Sequence, residues 1–181
     1  PLDRRGQWYR YHHLFQELLQ SQLDNALSDE EIAELHSRAS HCYLEHDLIE
    51  EAITHALKAN DMIGAARIVE VNSYAAQDKD DWFTLEKWLA MLPESLIQQR
   101  PVLLMAKVHL AFFQYNFSEV VPNIERVQQI LNPDEKDQPV WGEINFVYGY
   151  FELFSGQGAL SLEHFQRAIE LTPEAPIAHI E

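Results

Sequence analysis

Cysteine is nearly absent from this 181-residue chain, and glycine and basic residues are scarce. With Cys42 as the single cysteine, no internal disulfide can form, which fits a reducing compartment. Lys and Arg total 13 against 29 Asp and Glu, a formal net charge of -16. A surface of that sign repels phosphate, and no basic cluster reverses it locally, so nucleic acid is a poor direct partner for this piece. Six glycines serve the whole chain. None belongs to a phosphate loop ending in Lys-Ser/Thr, so ATP cannot be held by these residues alone, and no nucleophile elbow is present. The longest apolar run, 102–113, is broken by Lys107 and His109 and is too short to span a bilayer. No membrane partner is expected, and the cytoplasm is the default location.

What the chain does have is apolar character, 46% of residues, with 23% charged, the balance of a folded protein. Aromatic residues Trp8, Tyr9 and Tyr11 stand in an extended-looking run, after which Leu14, Phe15, Leu18, Leu19 and Leu23 recur at helical spacing. A short strand over 7–11 handing over to an amphipathic helix over 12–27 follows. Such a junction near the start, with Pro1 first and a new segment opening at the end, reads as a fragment of a larger protein. Ser28 can cap the next helix, with Glu31 completing a capping box. Its apolar face is Ile32, Leu35, Ala39 and Cys42/Tyr43, which makes Cys42 a small core residue. Further helices are expected over 49–59, 63–76, 82–92, 102–115, 119–131, 140–154 and 159–171. Pro93 and Pro101 bracket a connection, Pro122 belongs near a first turn, and 132–139 is a polar loop. The helix over 102–115 should be the most buried.

No stretch after Tyr11 alternates like a strand, so the fold class is all-α: a superhelix of antiparallel helix pairs. Gly149, Gly156, Ser161, Phe165, Ala168 and Pro173 fall at tetratricopeptide spacings. Tyr43, Ala52, Ala56 and Ala59 echo them. The hinge markers Ile49, Phe83, Phe117 and Gly158 lie 34, 34 and 41 residues apart. A degenerate helical-repeat solenoid is preferred to an irregular bundle.

Nine histidines invite a metal reading. His36, His41 and His46 are five apart, which turns successive rings by about 140° on a helix, and no HExxH pair occurs. No metal and no catalytic residue is assigned. The aromatic residues of the last third are a better lead. Most should pack between helices, while a minority line a concave groove for a small molecule, a peptide or a partner helix. The groove candidates are Tyr115, Trp141, Tyr148 and Phe151.

The ordered set WYRYHHLFQELL, LHSRASHCYLEHDLIEEAITHALKANDMIGAARIVE and TLEKWLAMLPESLIQQRPVLLMAKV resembles the MalT-type group of large LuxR-family transcription activators, which are signal-transduction ATPases with numerous domains. The resemblance spans about residues 7–115. It implies the end of a winged-helix domain at 1–27, a helical arm at 28–95 and the start of a tetratricopeptide-like sensor at 96–181. It also implies ATP or ADP as the cofactor of the full-length protein, with no cofactor in this piece. The stretch Tyr11–His12–His13–Leu14 stands where related ATPases carry a Met-His-Asp-type motif, so His12 would contact the ADP phosphate in the full-length protein. His13 replaces the acidic residue. The implied partners are a small-molecule inducer or a protein on the repeat surface, and DNA only through an absent C-terminal domain. Self-association of the full-length protein is also compatible with the resemblance. The reading is the arm and sensor portion of an ATP-dependent regulator, without chemistry of its own. The alternative is a free-standing helical-repeat scaffold for a protein or peptide.

Overall fold

The computed structural model describes residues 11–131 and 139–172, and among these it contains ten α-helices and no strand. The residues divide into two compact units, Pro1–Asp61 and Met62–Glu181. The strand expected over 7–11 lies, apart from Tyr11, outside the described residues, as do residues 132–138 of the expected polar loop.

The first unit holds α1 (His13–Ala26), α2 (Asp29–Glu45) and α3 (Ile49–Lys58). Ser28 caps α2 as its spacing to Glu31 requires. Its hydroxyl accepts from the Glu31 amide while the Glu31 carboxylate accepts from the Ser28 amide at 2.9 Å. Those hydrogen bonds hold the Glu31 carboxyl below its ordinary range. The core of the α2–α3 pair is Ala52, Ile53 and Ala56, all buried on α3. Small residues there let α2 approach closely enough for the Ser40 hydroxyl to donate to the Ala52 carbonyl at 2.8 Å. The inward face of α2 is therefore rotated from the one expected. Ser40 is buried, Leu35 is 38% exposed, and Cys42 is exposed rather than a core residue.

The second unit holds α4 (Met62–Gln77), α5 (Trp82–Met91), α6 (Glu94–Ile97), α7 (Pro101–Phe113), α8 (Phe117–Ile130), α9 (Pro139–Phe154) and α10 (Gly158–Leu171). The short helix α6 occupies the connection between Pro93 and Pro101, and Pro101 opens α7 at a position where a missing amide costs nothing. Helix α7 is the central one, with Leu103, Leu104, Met105, Ala106 and Val108 all buried. Each large apolar side chain removed from water in this way stabilises by about 1.5–3 kcal/mol. Pro122 lies in the second turn of α8 rather than the first, because α8 begins at Phe117.

Glycine scarcity shows in the turns. Five helices end with one residue in the left-handed region: Asp47, Asn60, Asp80, Tyr115 and Gly156, with φ between 54° and 80°. In each, the amide of the next residue returns to a carbonyl five positions back: Leu48 to Tyr43, Asp61 to Ala56, Asp81 to Ala76, Asn116 to Ala111 and Gln157 to Glu152, at 2.8–3.0 Å. This is the Schellman closure, which satisfies carbonyls that a helix end leaves free. The hinge markers Ile49, Phe117 and Gly158 open α3, α8 and α10, and Phe83 is the second residue of α5.

The repeat character extends to side chains. Ser40 and Ala52 in the α2–α3 pair, and Gly149 and Ser161 in the α9–α10 pair, are bonded partners twelve residues apart. His36 and His55 in the first, and Asn145 and His164 in the last, are bonded partners nineteen residues apart. Two pairs far apart in sequence thus share one internal register, as an all-α helical-repeat array requires.

Candidate functional site

Within the second unit, α4, α5, α7, α9 and Thr172, the residue that caps the end of α10, contribute to a cavity of about 380 Å³. Its aromatic lining is Trp82, Phe112, Phe113, Phe146 and Tyr150. The Trp82 and Phe113 rings stack with centroids 4.7 Å apart. Phe146 and Tyr150 meet edge to face at 5.0 Å, and Phe112 meets Tyr150 likewise at 5.5 Å. One turn of α9 separates Phe146 from Tyr150, so helical spacing puts both on one face.

A chain of polar side chains lines the same cavity: Tyr74, Glu143, His109 and Gln77. The Tyr74 hydroxyl donates to Glu143 Oε1 at 2.8 Å. His109 Nδ1 donates to Gln77 Oε1 at 2.6 Å, which leaves Nε2 as the acceptor of the ring. Nε2 stands 3.7 Å from Glu143 Oε2, too far for a hydrogen bond. Burial lowers the pKa of His109 against the opposing pull of Glu143, so the imidazole is neutral near pH 7. Burial, with Glu143 next in weight, raises the pKa of Tyr74 far out of reach and keeps it a phenol. Glu143 is 4% exposed. Asp78 also lines the cavity, and neither Lys nor Arg does among the described residues.

In the first unit, His36 and His55 face each other with Nδ1 atoms 2.9 Å apart, and the Tyr43 ring lies 5.2 Å from that of His55. Burial first, then His36 and Lys58, hold the His55 pKa down to about 4. The pair carries one shared hydrogen bond. His41 and His46 instead each bond a carbonyl of their own helix. Among the described residues no three His, Cys, Asp or Glu side chains converge as metal ligands.

The groove candidates fall outside this cavity. Tyr115 is 81% exposed at the α7–α8 turn. Phe151 is half-buried against the rings of Phe112 and Phe117. Tyr148 packs against His164, and burial raises its pKa. Trp141 is half-buried, and its indole Nε1 is shielded from water without a partner among the described residues. Phe151 and Tyr115 both touch Phe117 and so share one edge, while Trp141 and Tyr148 are not in ring contact with them. His12 is the N-cap of α1 and is exposed. Its carbonyl accepts from Phe15 and Gln16, while its ring makes no capping bond and lies 4.3 Å from that of His13. Two of the cavity's polar residues were visible in the sequence as breaks in apolar runs, His109 inside 102–113 and Glu143 inside Val140–Phe154.

The MalT winged helix domain family matches residues 1–31. The chain is 30% identical over 144 residues to the HTH-type transcriptional regulator MalT of Klebsiella pneumoniae, covering 80% of this chain and 16% of that protein. It is 31% identical over 132 residues to the MalT regulator of Yersinia enterocolitica, covering 72% of this chain and 14% of the relative. It is 25% identical over 171 residues to that of Vibrio parahaemolyticus, covering 94% of this chain and 18% of the relative. The chain thus spans about a sixth of the length of the curated relatives it matches. No solved structure matches it. An all-helical repeat segment matched in this way resembles, by class, part of a transcription regulator. More particularly, it is similar to part of the MalT-type regulators. No helix among the described residues is long and apolar enough to cross a membrane.

Proposed function

We propose that the chain is the arm and sensor portion of an ATP-dependent MalT-like transcriptional activator in the cytoplasm. Residues 1–27 end its winged-helix domain, 28–95 form the arm and 96–181 begin the sensor. The portion relays inducer binding on the helical repeats to a nucleotide switch and to self-association, while a C-terminal domain outside this chain reads DNA. One observation carries the reading: the match to the MalT winged helix domain at residues 1–31 runs straight into helix pairs with tetratricopeptide register. Tyr115, Trp141, Tyr148 and Phe151 are assigned to partner contacts on the repeat surface.

His12 is the coupling residue of this reading. Its ring is exposed at the N-terminus of α1, where free amides favour an anion and where a ring N–H can donate to an ADP phosphate. Such a contact exists only in the closed resting state and so biases a two-state equilibrium without doing chemistry. Its loss costs that state about 1–3 kcal/mol. His12→Ala in the intact regulator is expected to raise inducer-independent transcription several-fold and to weaken ADP retention. A variant that stays silent without inducer and holds ADP as tightly as wild type removes His12 from the switch.

A further inference from the structure

The cavity of the second unit holds an unfinished polar arrangement. Glu143 is buried, and its Oε1 is satisfied by the Tyr74 hydroxyl. Its Oε2 faces His109 Nε2 across 3.7 Å. Because Gln77 takes the only proton of the neutral imidazole, both of these atoms are acceptors, and among the described residues no donor stands between them. Among the described residues no Lys or Arg lines the cavity to balance Glu143 and Asp78. A buried carboxylate with no cation beside it is costly, and any group that brings a positive charge with N–H donors gains from both acceptors at once. The rest of the wall is mainly aromatic, with Pro139, Val147 and Thr172 between the rings, and ring faces attract cations while disfavouring anions. The volume of about 380 Å³ falls in the range of small-molecule sites, roughly 300–1,000 Å³.

We propose that this cavity binds a small organic amine, whose ammonium group donates to Glu143 Oε2 and His109 Nε2 while its flat apolar body lies among Trp82, Phe112, Phe146 and Tyr150. In making this cavity the inducer site, the proposal rests on the preceding reading of the helical repeats as a sensor. Tyr74 and Gln77 are positioning residues: one holds the carboxylate and the other fixes the tautomer of His109. Anionic metabolites are excluded by Glu143 and Asp78, and a neutral alcohol, with one O–H donor and no charge, satisfies only one of the two acceptors.

Three isosteric probes test this on the intact chain by calorimetry and by Trp fluorescence: 2-phenylethylamine, 2-phenylethanol and phenylacetate. The amine is expected to bind at least about tenfold tighter than the alcohol, and phenylacetate not measurably at millimolar concentration. Glu143→Gln should remove the preference for the amine while leaving alcohol affinity within twofold. Should that variant not fold, the ranking of the three probes on wild type decides alone. Equal binding of amine and alcohol, tighter binding of phenylacetate, or no binding of any probe overturns the proposal. A transcription reporter driven by the intact regulator separates this from the broader reading. If the amine binds but leaves transcription unchanged, the relay fails and the ligand class stands. If transcription answers the amine equally in wild type and Glu143→Gln, the site assignment fails and the relay stands.

Discussion

Gly149 is where helical propensity and packing pull against each other, so Gly149→Ala measures how tightly α9 and α10 are joined. An added Cβ would stand 2.7 Å from Phe165 Cε1, 2.8 Å from Cδ1 and 3.0 Å from Cζ. Contact at that distance forces the ring to move. Phe165 cannot swing freely, because it meets Tyr150 edge to face at 5.4 Å and Phe146 at 5.9 Å. The Gly149 carbonyl also anchors the Ser161 hydroxyl at 2.9 Å, which fixes the spacing of the two helices. Replacing glycine by alanine inside a helix gains about 1 kcal/mol, whereas overpacking costs about 1–3 kcal/mol. The expected outcome is a net loss of about 1 kcal/mol in urea unfolding. Phe165→Leu removes the obstructing ring atoms. In that background Gly149→Ala should lose its penalty, giving a double-mutant coupling of about 1–2 kcal/mol. If Gly149→Ala raises stability by the full propensity gain in the wild-type background, Phe165 does not pack against Gly149 and α9 and α10 are not this closely joined.

Ala52→Leu and Ala168→Leu should each destabilise by about 1–3 kcal/mol, because both sites are fully buried against a neighbouring helix; unchanged melting in both would deny that packing. At Tyr115, held at φ 57°, Gly should be more stable than Ala by about 1 kcal/mol, since glycine has no Cβ to strain that conformation; parity in thermal unfolding counts against the turn geometry. The folded chain holds His55 down to about 4 against the ordinary 6.5, so between these values the unfolded chain binds more protons. Its contribution is complete above pH 6.5 and is lost as pH falls toward 4. His55→Gln should flatten the stability profile in that window, and an unchanged profile would show that His55 is not held below its ordinary range in the folded chain.

The helices were legible because the signals that make them are local. Ser28 and Glu31 announce a capping box, Pro101 opens a helix, and apolar spacing separates each segment from its turn. Ile49, Phe117 and Gly158 could be found as hinges from spacing alone. Rotation about the helix axis was harder. Hydrophobicity placed Leu35 and Cys42 inside α2, but the close approach of α3 favours Ser40, whose hydroxyl finds a carbonyl across the pair. Helix α6 was missed because two prolines within nine positions read as a loop, although four residues between them still complete one turn. The cavity was not legible as a site. Its polar members Tyr74, Gln77, His109 and Glu143 come from three helices, and apart from Tyr74 and Gln77 on α4 no short-range spacing links them. Phe112, Phe146 and Tyr150 could be singled out as aromatic, but only the fold distinguishes the rings around that space from Tyr115 or Tyr148.

The five Schellman turns bear on how quickly the chain acquires this structure. They join consecutive helices through three or four residues, and the closest packing, α2 on α3, α7 on α8 and α9 on α10, is between helices adjacent in sequence. Closing so short a loop costs little entropy, and proteins dominated by such local contacts fold in microseconds to milliseconds. Each hairpin can therefore form as soon as both of its helices have left the ribosome, which adds residues at only about 5–20 per second. A nascent chain of this kind exposes one unpaired helix at a time, and the interval during which that helix can aggregate is set by translation rather than by folding.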